Sequence, residues 1–342
     1  MKISMKLKCL ALACCFHTFS AKPMIAATPA GFFKNDTYKT LTSDTLPQKE
    51  LNRFWESTRE SLARIPIASK VEPVNEALPY KKFKVTLKSL DGVTIVALLS
   101  IPVQGEAPAK PWPVIISNPG YGGWQQSVML SECQRGYAIL QVFPRGQGES
   151  AVYMKADSID KLTWKLDEPE GAYYQGGYAD VIRMIDFVTT RTDLDSDRIV
   201  LMGTSQGAGI SLAVAALDPR IKAVVAHLPF LCNFRMAARV PNSLVKKLLD
   251  KAQRNDEAAL RTLDFFDPWQ LAPQLKVPVL ISAGGKDVVC PASTIESVIN
   301  RLPGEKTFKI YPLLTHTSCL DFYNVSWTWL DQHLRKKIEP GK

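Results

Sequence analysis

Ser205 stands in Gly203-Thr204-Ser205-Gln206-Gly207, directly after the apolar run 199–202 and directly before the small, apolar stretch 208–217. A strand, a tight turn with serine at its apex and a helix together make a nucleophile elbow. Such a turn strains the serine backbone and leaves no room for large neighbours, a demand that Gly203 and Gly207 meet. The hydroxyl then stands at the strand end with a helix N-terminus beneath it. The N–H groups of that terminus suit a developing oxyanion. The five-residue motif is short enough to recur by chance, so its weight comes from the strand and helix patterns on either side.

A serine hydroxyl is a weak nucleophile and needs a base within hydrogen-bond reach, a task that suits histidine near neutral pH. The chain has four histidines. His17 belongs to an N-terminal segment read below as an export signal. His333 lies in a basic terminal helix beside Arg335 and Lys336 and reads as solvated. His227 ends the apolar run 221–226 and reads as a satisfied structural histidine. His316 follows the last predicted strand, in the loop 312–318, where an α/β-hydrolase carries its histidine. The orienting carboxylate belongs between serine and histidine. Asp287 follows Gly284-Gly285-Lys286 on a loop after the strand 276–282, at the sheet edge where open α/β sheets place ligands. Asp264 and Asp267 compete from a charged helical stretch, and Asp321 breaks the chain order.

An oxyanion hole on this plan takes the N–H after the nucleophile, here Gln206, and one from an earlier loop. The glycine-rich segment Asn118-Pro119-Gly120-Tyr121-Gly122-Gly123 lets backbone approach a substrate closely. Arg145-Gly146-Gln147-Gly148 follows the next strand, and Arg145 has the fork geometry to brace the elbow through carbonyls. Arg145 and Gln147 both read as supporting residues. Tyr121 and Trp124 in the glycine loop, with Pro229-Phe230 after a neighbouring strand, are large enough to close the acyl side of a pocket.

These residues need a scaffold, and the pattern supplies one. Leu51, Phe54, Trp55, Thr58 and Leu62 recur at helical spacing within 48–64. A hairpin spans 80–102 with Asp91-Gly92 at its turn. Short apolar strands at 113–117, 138–143, 199–202, 221–226, 276–282 and 307–311 alternate with helices at 178–189 and 325–336. The expectation is an α/β fold with a mostly parallel sheet and helices on both faces. The charged stretch 234–273 is either a helical cap over the active end or a surface insertion.

The chain has 342 residues, room for one large α/β domain or two small ones. Residues 1–27 read as a signal peptide, with Lys2, Lys6 and Lys8, an apolar run at 10–19 and a small-residue exit at Ala26-Ala27. Residues 28–47 read as a lead-in and 48–342 as the hydrolase domain. The expectation is export to the periplasm or the exterior. The formal charge is +9, and the first 27 residues hold four lysines and no acids, leaving 9 − 4 = +5. No basic stripe with interleaved aromatics is present, which argues against a nucleic-acid partner. Cys133, Cys232, Cys290 and Cys319 match no zinc spacing. They read as a disulfide option in an exported chain or as small buried hydrophobes.

Taken together, Arg145-Gly146-Gln147, Gly203-Thr204-Ser205-Gln206-Gly207, Asp287 within GGKDVVCPAST (284–294) and His316 resemble carbohydrate esterase family seven. These are the acetyl xylan esterases and cephalosporin-C deacetylases. HLPFLCNFR (227–235), RTLDFFD (261–267) and FWESTRE (54–60) extend the resemblance over residues 48–335. It implies an α/β-hydrolase fold and release of acetate from acetylated sugars and small esters, with no metal and no cofactor. It further implies a Ser205–Asp287–His316 triad and oxyanion donors at the backbone N–H groups of Tyr121 and Gln206. Three departures stand out. Thr317 follows the histidine where the family usually has glutamate, and Pro119 holds a position usually taken by histidine. The stretch 149–178 is shorter than in relatives that form hexamers, so a homo-oligomer is left open. Two other readings are a serine peptidase on the same fold and a non-catalytic carbohydrate-binding protein. The first lacks room for the usual propeller, and the second predicts a broken triad.

Overall fold

Apolar residues alternate between two cores. Val114, Ile116, Ile199, Leu201, Val224, Ala226, Val279 and Ile281 face one core. Their neighbours Ile115, Val200, Ala223, Val225 and Leu280 face the other. Successive side chains of a strand point to opposite faces, so a sheet buried on both faces reads as unbroken apolar runs. That is why the central strands were legible as runs.

The computed structural model describes residues 46–75, 80–103, 111–122, 130–154 and 161–334. The segment 1–27 expected to be a signal peptide, the expected lead-in except Leu46 and Pro47, Gly123, Trp124 and the residues from 335 lie outside the described residues. The strands are β1 (Lys70–Pro73), β2 (Tyr80–Lys88), β3 (Thr94–Pro102), β4 (Trp112–Asn118), β5 (Ala138–Phe143), β6 (Leu194–Thr204), β7 (Ile221–His227), β8 (Val279–Gly284) and β9 (Lys306–Tyr311). They form one sheet in the order β1-β2-β3-β5-β4-β6-β7-β8-β9. β1, β2, β3 and β5 pair antiparallel in turn, and every pair from β5–β4 to β8–β9 is parallel.

The first face carries α1 (Gln48–Ala63), α3 (Tyr173–Thr189) and α4 (Gln206–Leu217), and the other carries α2 (Leu130–Gln134) and α10 (Leu320–Leu334). α4 is apolar nearly all round and almost wholly buried, as a helix packed on every side must be. The stretch after β7 forms four short helices, α5 (Phe234–Ala237), α6 (Leu244–Lys251), α7 (Glu257–Asp264) and α8 (Pro268–Leu271), followed by α9 (Ala292–Ile299) beyond β8. α8 packs on α4 and α9. The Leu244 N–H donates to the Val289 carbonyl, so this insertion also touches the loop that carries Asp287.

α3 begins five residues before the predicted start at 178, and α10 five residues before the predicted start at 325. Leu46 is buried, and its N–H donates to Gln270 Oε1, so this end of the expected lead-in packs near α8. Among the described residues no helix is long and apolar enough to cross a membrane. Cys133, Cys232 and Cys290 are buried thiols and Cys319 is a half-buried one.

α1 is fastened through its apolar stripe. Trp55 stacks on Tyr178 at 5.6 Å and donates its indole N–H to the Phe265 carbonyl at 3.0 Å. Truncating a buried tryptophan costs about 3–5 kcal/mol. Trp55→Ala is therefore expected to lose about that much stability, read from urea denaturation of variant and wild type at one pH.

Candidate active site

The elbow forms at the end of β6. Ser205 has φ 55° and ψ −121°, a backbone that side-chain-bearing residues rarely adopt. Several hydrogen bonds hold it there. Its N–H donates to the His227 carbonyl at 2.9 Å. Its own carbonyl accepts from the N–H groups of Ala208, Gly209 and Phe230 at 3.0–3.1 Å. The flanking glycines are required by space. A Cβ on Gly203 would lie 2.3 Å from the Gly207 carbonyl carbon, and one on Gly207 would lie 2.0 Å from the Asn118 carbonyl oxygen.

The loops after β8 and β9 meet beside the elbow. His316 Nε2 lies 3.0 Å from Ser205 Oγ, and His316 Nδ1 lies 2.7 Å from Asp287 Oδ2. The other carboxylate oxygen of Asp287 accepts from the N–H groups of Val289 and Cys290 at 2.8 and 2.9 Å. Since Oδ2 is an acceptor, Nδ1 carries the imidazole proton and Nε2 is left to accept from serine. The Asp287 side chain is fully buried while that of His316 is 24 % exposed.

The remaining candidates lie elsewhere. Asp264 is paired with Arg235. Asp267 accepts from the N–H groups of Asn233, Phe234 and Trp269, and burial pushes its carboxyl up to about 7. Asp321 accepts from the Tyr311 hydroxyl. His227 does not join Ser205 through its ring, which sits between Ser282 Oγ and the Thr317 carbonyl. His333 is less solvated than expected, stacking on Trp329 and facing Glu305.

Gln147 ties the glycine loop to the elbow. Its Nε2 donates to the carbonyls of Gly120 and Tyr121 at 3.0 and 3.2 Å. Its Oε1 accepts from Gln206 Nε2 at 2.9 Å, and Gln206 Oε1 accepts from the Tyr174 hydroxyl at 3.2 Å. Arg145 braces this assembly differently from the expected carbonyl fork. It forms a buried bidentate pair with Asp180, at 3.0 Å from Nε and 2.9 Å from Nη2, and one bond to the Leu90 carbonyl. Burial is the largest single effect and acts to lower the Arg145 pKa, but the charge and hydrogen bonding of Asp180, with smaller contributions from Asp91 and Tyr173, together hold the guanidinium above its ordinary value. Sequence reading missed Asp180, Tyr173 and Tyr174. The first lay inside a predicted helix with nothing to mark it, and the two tyrosines lay before that helix's predicted start.

Among the described residues, Asp287, Cys290 and His316 bring metal-type donor atoms within 4.8 Å of one another. Both Asp287 oxygens are already engaged, and burial pushes the Cys290 thiol well up, away from the thiolate that binds metals. Asp287 and His316 form a hydrogen-bonded pair in place of an open coordination set.

A largely parallel sheet with a strained serine at the end of one strand, and a carboxylate and a histidine on the loops after the last two, defines an α/β-hydrolase. The acetyl xylan esterase (AXE1) family matches residues 34–333, and the chain belongs to that family. It is a carboxylic ester hydrolase of the acetyl esterase kind. It is 24 % identical over 308 residues to the acetyl esterase Axe7A of Xylanibacter ruminicola, covering 84 % of this chain and 67 % of that protein. The solved acetyl xylan esterase from Paenibacillus sp. R4 superimposes with a TM-score of 0.78 at 27 % identity, covering 88 % of this chain and all of that one. Acetyl xylan esterase 1 from Thermoanaerobacterium sp. JW/SL YS485 gives 0.77 at 21 % identity over 86 % of this chain and 96 % of its own, a likeness of fold.

The Arg145–Asp180 pair carries a prediction. Breaking a buried pair by removing one partner leaves an uncompensated charge and costs about 3–5 kcal/mol. Asp180→Ala is expected to lose about that much in chemical denaturation.

Proposed function

We propose that the chain is a serine esterase that removes acetyl groups from acetylated sugars or xylan-type oligosaccharides through an acyl-enzyme on Ser205. The observation that carries this is His316 lying between Ser205 and Asp287 at 3.0 and 2.7 Å in a member of an acetyl xylan esterase family. His316 Nε2 takes the serine proton as Oγ attacks the acetyl carbonyl. Asp287 holds the imidazole in its working tautomer and stabilises the imidazolium. The sugar alcohol departs with the proton from His316, and water activated by the same nitrogen releases acetate.

The oxyanion donors in this reading are the backbone N–H groups of Gln206 and Tyr121. Gln206 is the first residue of α4, whose opening N–H groups have no partner within the helix. In a trans peptide the C=O and N–H point opposite ways. The hold of Gln147 on the Gly120 carbonyl therefore turns the Tyr121 N–H away from Gln147. Arg145 and Gln147 act in support.

Export rests on the lysine-rich start, the apolar run and the small-residue exit within residues 1–27. Residues 28–47 then serve as lead-in and 48–342 as the esterase domain.

On p-nitrophenyl acetate, Ser205→Ala and His316→Ala are each expected to remove nearly all turnover while the thermal midpoint survives. Asp287→Asn keeps the base in the wrong tautomer and is expected to lose about 10⁴ in kcat. A His316→Ala variant that keeps wild-type kcat overturns the assignment.

Acyl length gives a second test. Tyr121 and Phe230 meet edge to face at 5.7 Å, and the Phe230 N–H is fixed on the Ser205 carbonyl; in this reading the two rings close the acyl side of the pocket. One methylene in an apolar pocket changes discrimination by about 10–200-fold. From acetyl to butyryl, kcat/KM is expected to fall at least about tenfold. Values equal or rising through octanoate would point to an open acyl channel and against a sugar deacetylase. A panel of acetylated xylo-oligosaccharides, acetyl-sugars and cephalosporin C then identifies the alcohol side.

A further inference from the structure

The loop that carries His316 is mostly exposed, with Pro312, Leu313, Thr315, Thr317 and Ser318 open to solvent. An exposed loop holds a side chain to a fraction of an ångström only if its backbone is tied down. Upstream of His316 the ties are plain. The Gly285 N–H donates to the Tyr311 carbonyl at 2.9 Å and the Lys286 N–H to the Leu314 carbonyl at 3.0 Å, so the Asp287 loop grips this side. Across His316 the Thr317 N–H bonds the Thr315 carbonyl at 2.9 Å, closing a three-residue turn with the histidine at its centre. Downstream, the Thr317 carbonyl lies 3.2 Å from His227 Nε2.

His227 is built for that contact. It ends β7, the strand next to the elbow strand, and its own carbonyl accepts the Ser205 N–H. Its ring stacks on Phe322 at 4.8 Å. Its Nδ1 lies 2.7 Å from Ser282 Oγ, which already accepts the Leu228 N–H at 3.2 Å. A carbonyl can only accept, so Nε2 must carry the proton that reaches Thr317. Nδ1 is then the acceptor and takes the Ser282 hydroxyl proton. The chain of donation runs from Leu228 N–H to Ser282 O–H to His227 and on to the Thr317 carbonyl. Burial pushes the ring below the usual imidazole range, in keeping with a neutral donor.

We propose that His227 is a positioning residue for His316: its Nε2–H holds the Thr317 carbonyl and so fixes the downstream side of the turn that aims the catalytic imidazole at Ser205. One residue thereby fixes both reacting partners, the serine through its main-chain carbonyl and the histidine through its ring. The inference rests on the serine-esterase reading above.

The test compares His227→Leu, which keeps bulk and loses the donor, with His227→Gln, whose amide N–H can reach the same carbonyl. Wild type and Ser205→Ala are run alongside on p-nitrophenyl acetate, and every thermal midpoint is measured. A misplacement of about 1 Å can cost about 10²-fold. His227→Leu is expected to lose at least about tenfold in kcat with KM held within about twofold, the pattern of a defect in the chemical step. His227→Gln is expected to regain all but about threefold of kcat. A folded His227→Leu with kcat near wild type overturns the proposal, as does a Gln variant no better than Leu. Should His227→Leu fail to fold, Ser282→Ala replaces it. That variant is expected to lower kcat in the wild-type background and to leave His227→Gln unchanged, the coupling of neighbours in one network. No effect in either background overturns the proposal. A Ser205→Ala variant as active as wild type instead sinks the serine-esterase reading and this inference with it.

Discussion

The backbone of Ser205 is the constraint to which the neighbouring structure answers. A non-glycine residue held at φ 55° costs of the order of 1–3 kcal/mol and persists only where its surroundings over-determine it. Here the serine peptide groups make four hydrogen bonds, to the end of β7, to the first turn of α4 and to the loop beyond β7. Those bonds exist only if β7 lies beside β6 and α4 rises directly from the turn. Gly203 and Gly207 let α4 close down on β6 and β4, where any Cβ would collide with backbone. Strand order, helix approach and the two glycines therefore serve one backbone conformation.

In the proposed reaction the strained serine alone sets no oxyanion site, because the second donor loop of that reading comes from β4. Gln147 connects the two. Its amide presents donors to two loop carbonyls and an acceptor to Gln206, so both its polar ends are used and its orientation is fixed. The residues around it are anchored by Arg145, whose backbone N–H as well as guanidinium is bound by Asp180. Gly176 lets α3 approach this pair. A Cβ there would sit 2.2 Å from the guanidinium carbon of Arg145. A buried pair of this kind adds little net stability compared with apolar packing. Its contribution is to hold the Arg-Gly-Gln turn, and so the glycine loop, at one height above the sheet.

The sheet, and the loops on which Ser205, Asp287 and His316 come together, were readable because each rests on local signals. Two-sided burial writes apolar runs, and elbow geometry writes glycines at 203 and 207. What escaped reading was set by distant partners. α3 starts at Tyr173 because its first turn packs on Arg145 and Gln147, while Tyr173-Tyr174 and Gly176-Gly177 taken locally look like a loop. β6 reaches back to Leu194 because Trp112 pairs with it, a register visible only once both strands are side by side. Arg145 was marked as a brace, yet its partner Asp180 lies 35 residues away without a motif. His227 looked like a satisfied structural histidine. It is satisfied, but by the loop beyond His316, some 90 residues on.

Burial falls from Asp287 to His316, and the proposed chemistry asks for that gradient. A carboxylate out of water interacts strongly with an imidazolium beside it, since the effective dielectric is low there. Burying that charge is tolerable only if its lone pairs are met, and Val289, Cys290 and His316 meet them. Two of the three donors are backbone N–H groups, which cannot swing away, so the carboxylate itself is fixed and can aim the ring. In that proposed reaction the ring must reach solvent on its far side, for substrate to enter and water to attack the acyl-enzyme. A side chain 24 % exposed next to one fully buried satisfies both demands. The exposed side is also where rigidity is hardest to obtain, because water competes for every backbone group of the loop. It follows that the bonds on the loop carbonyls matter as much to the proposed reaction as the imidazole–carboxylate bond they keep in register.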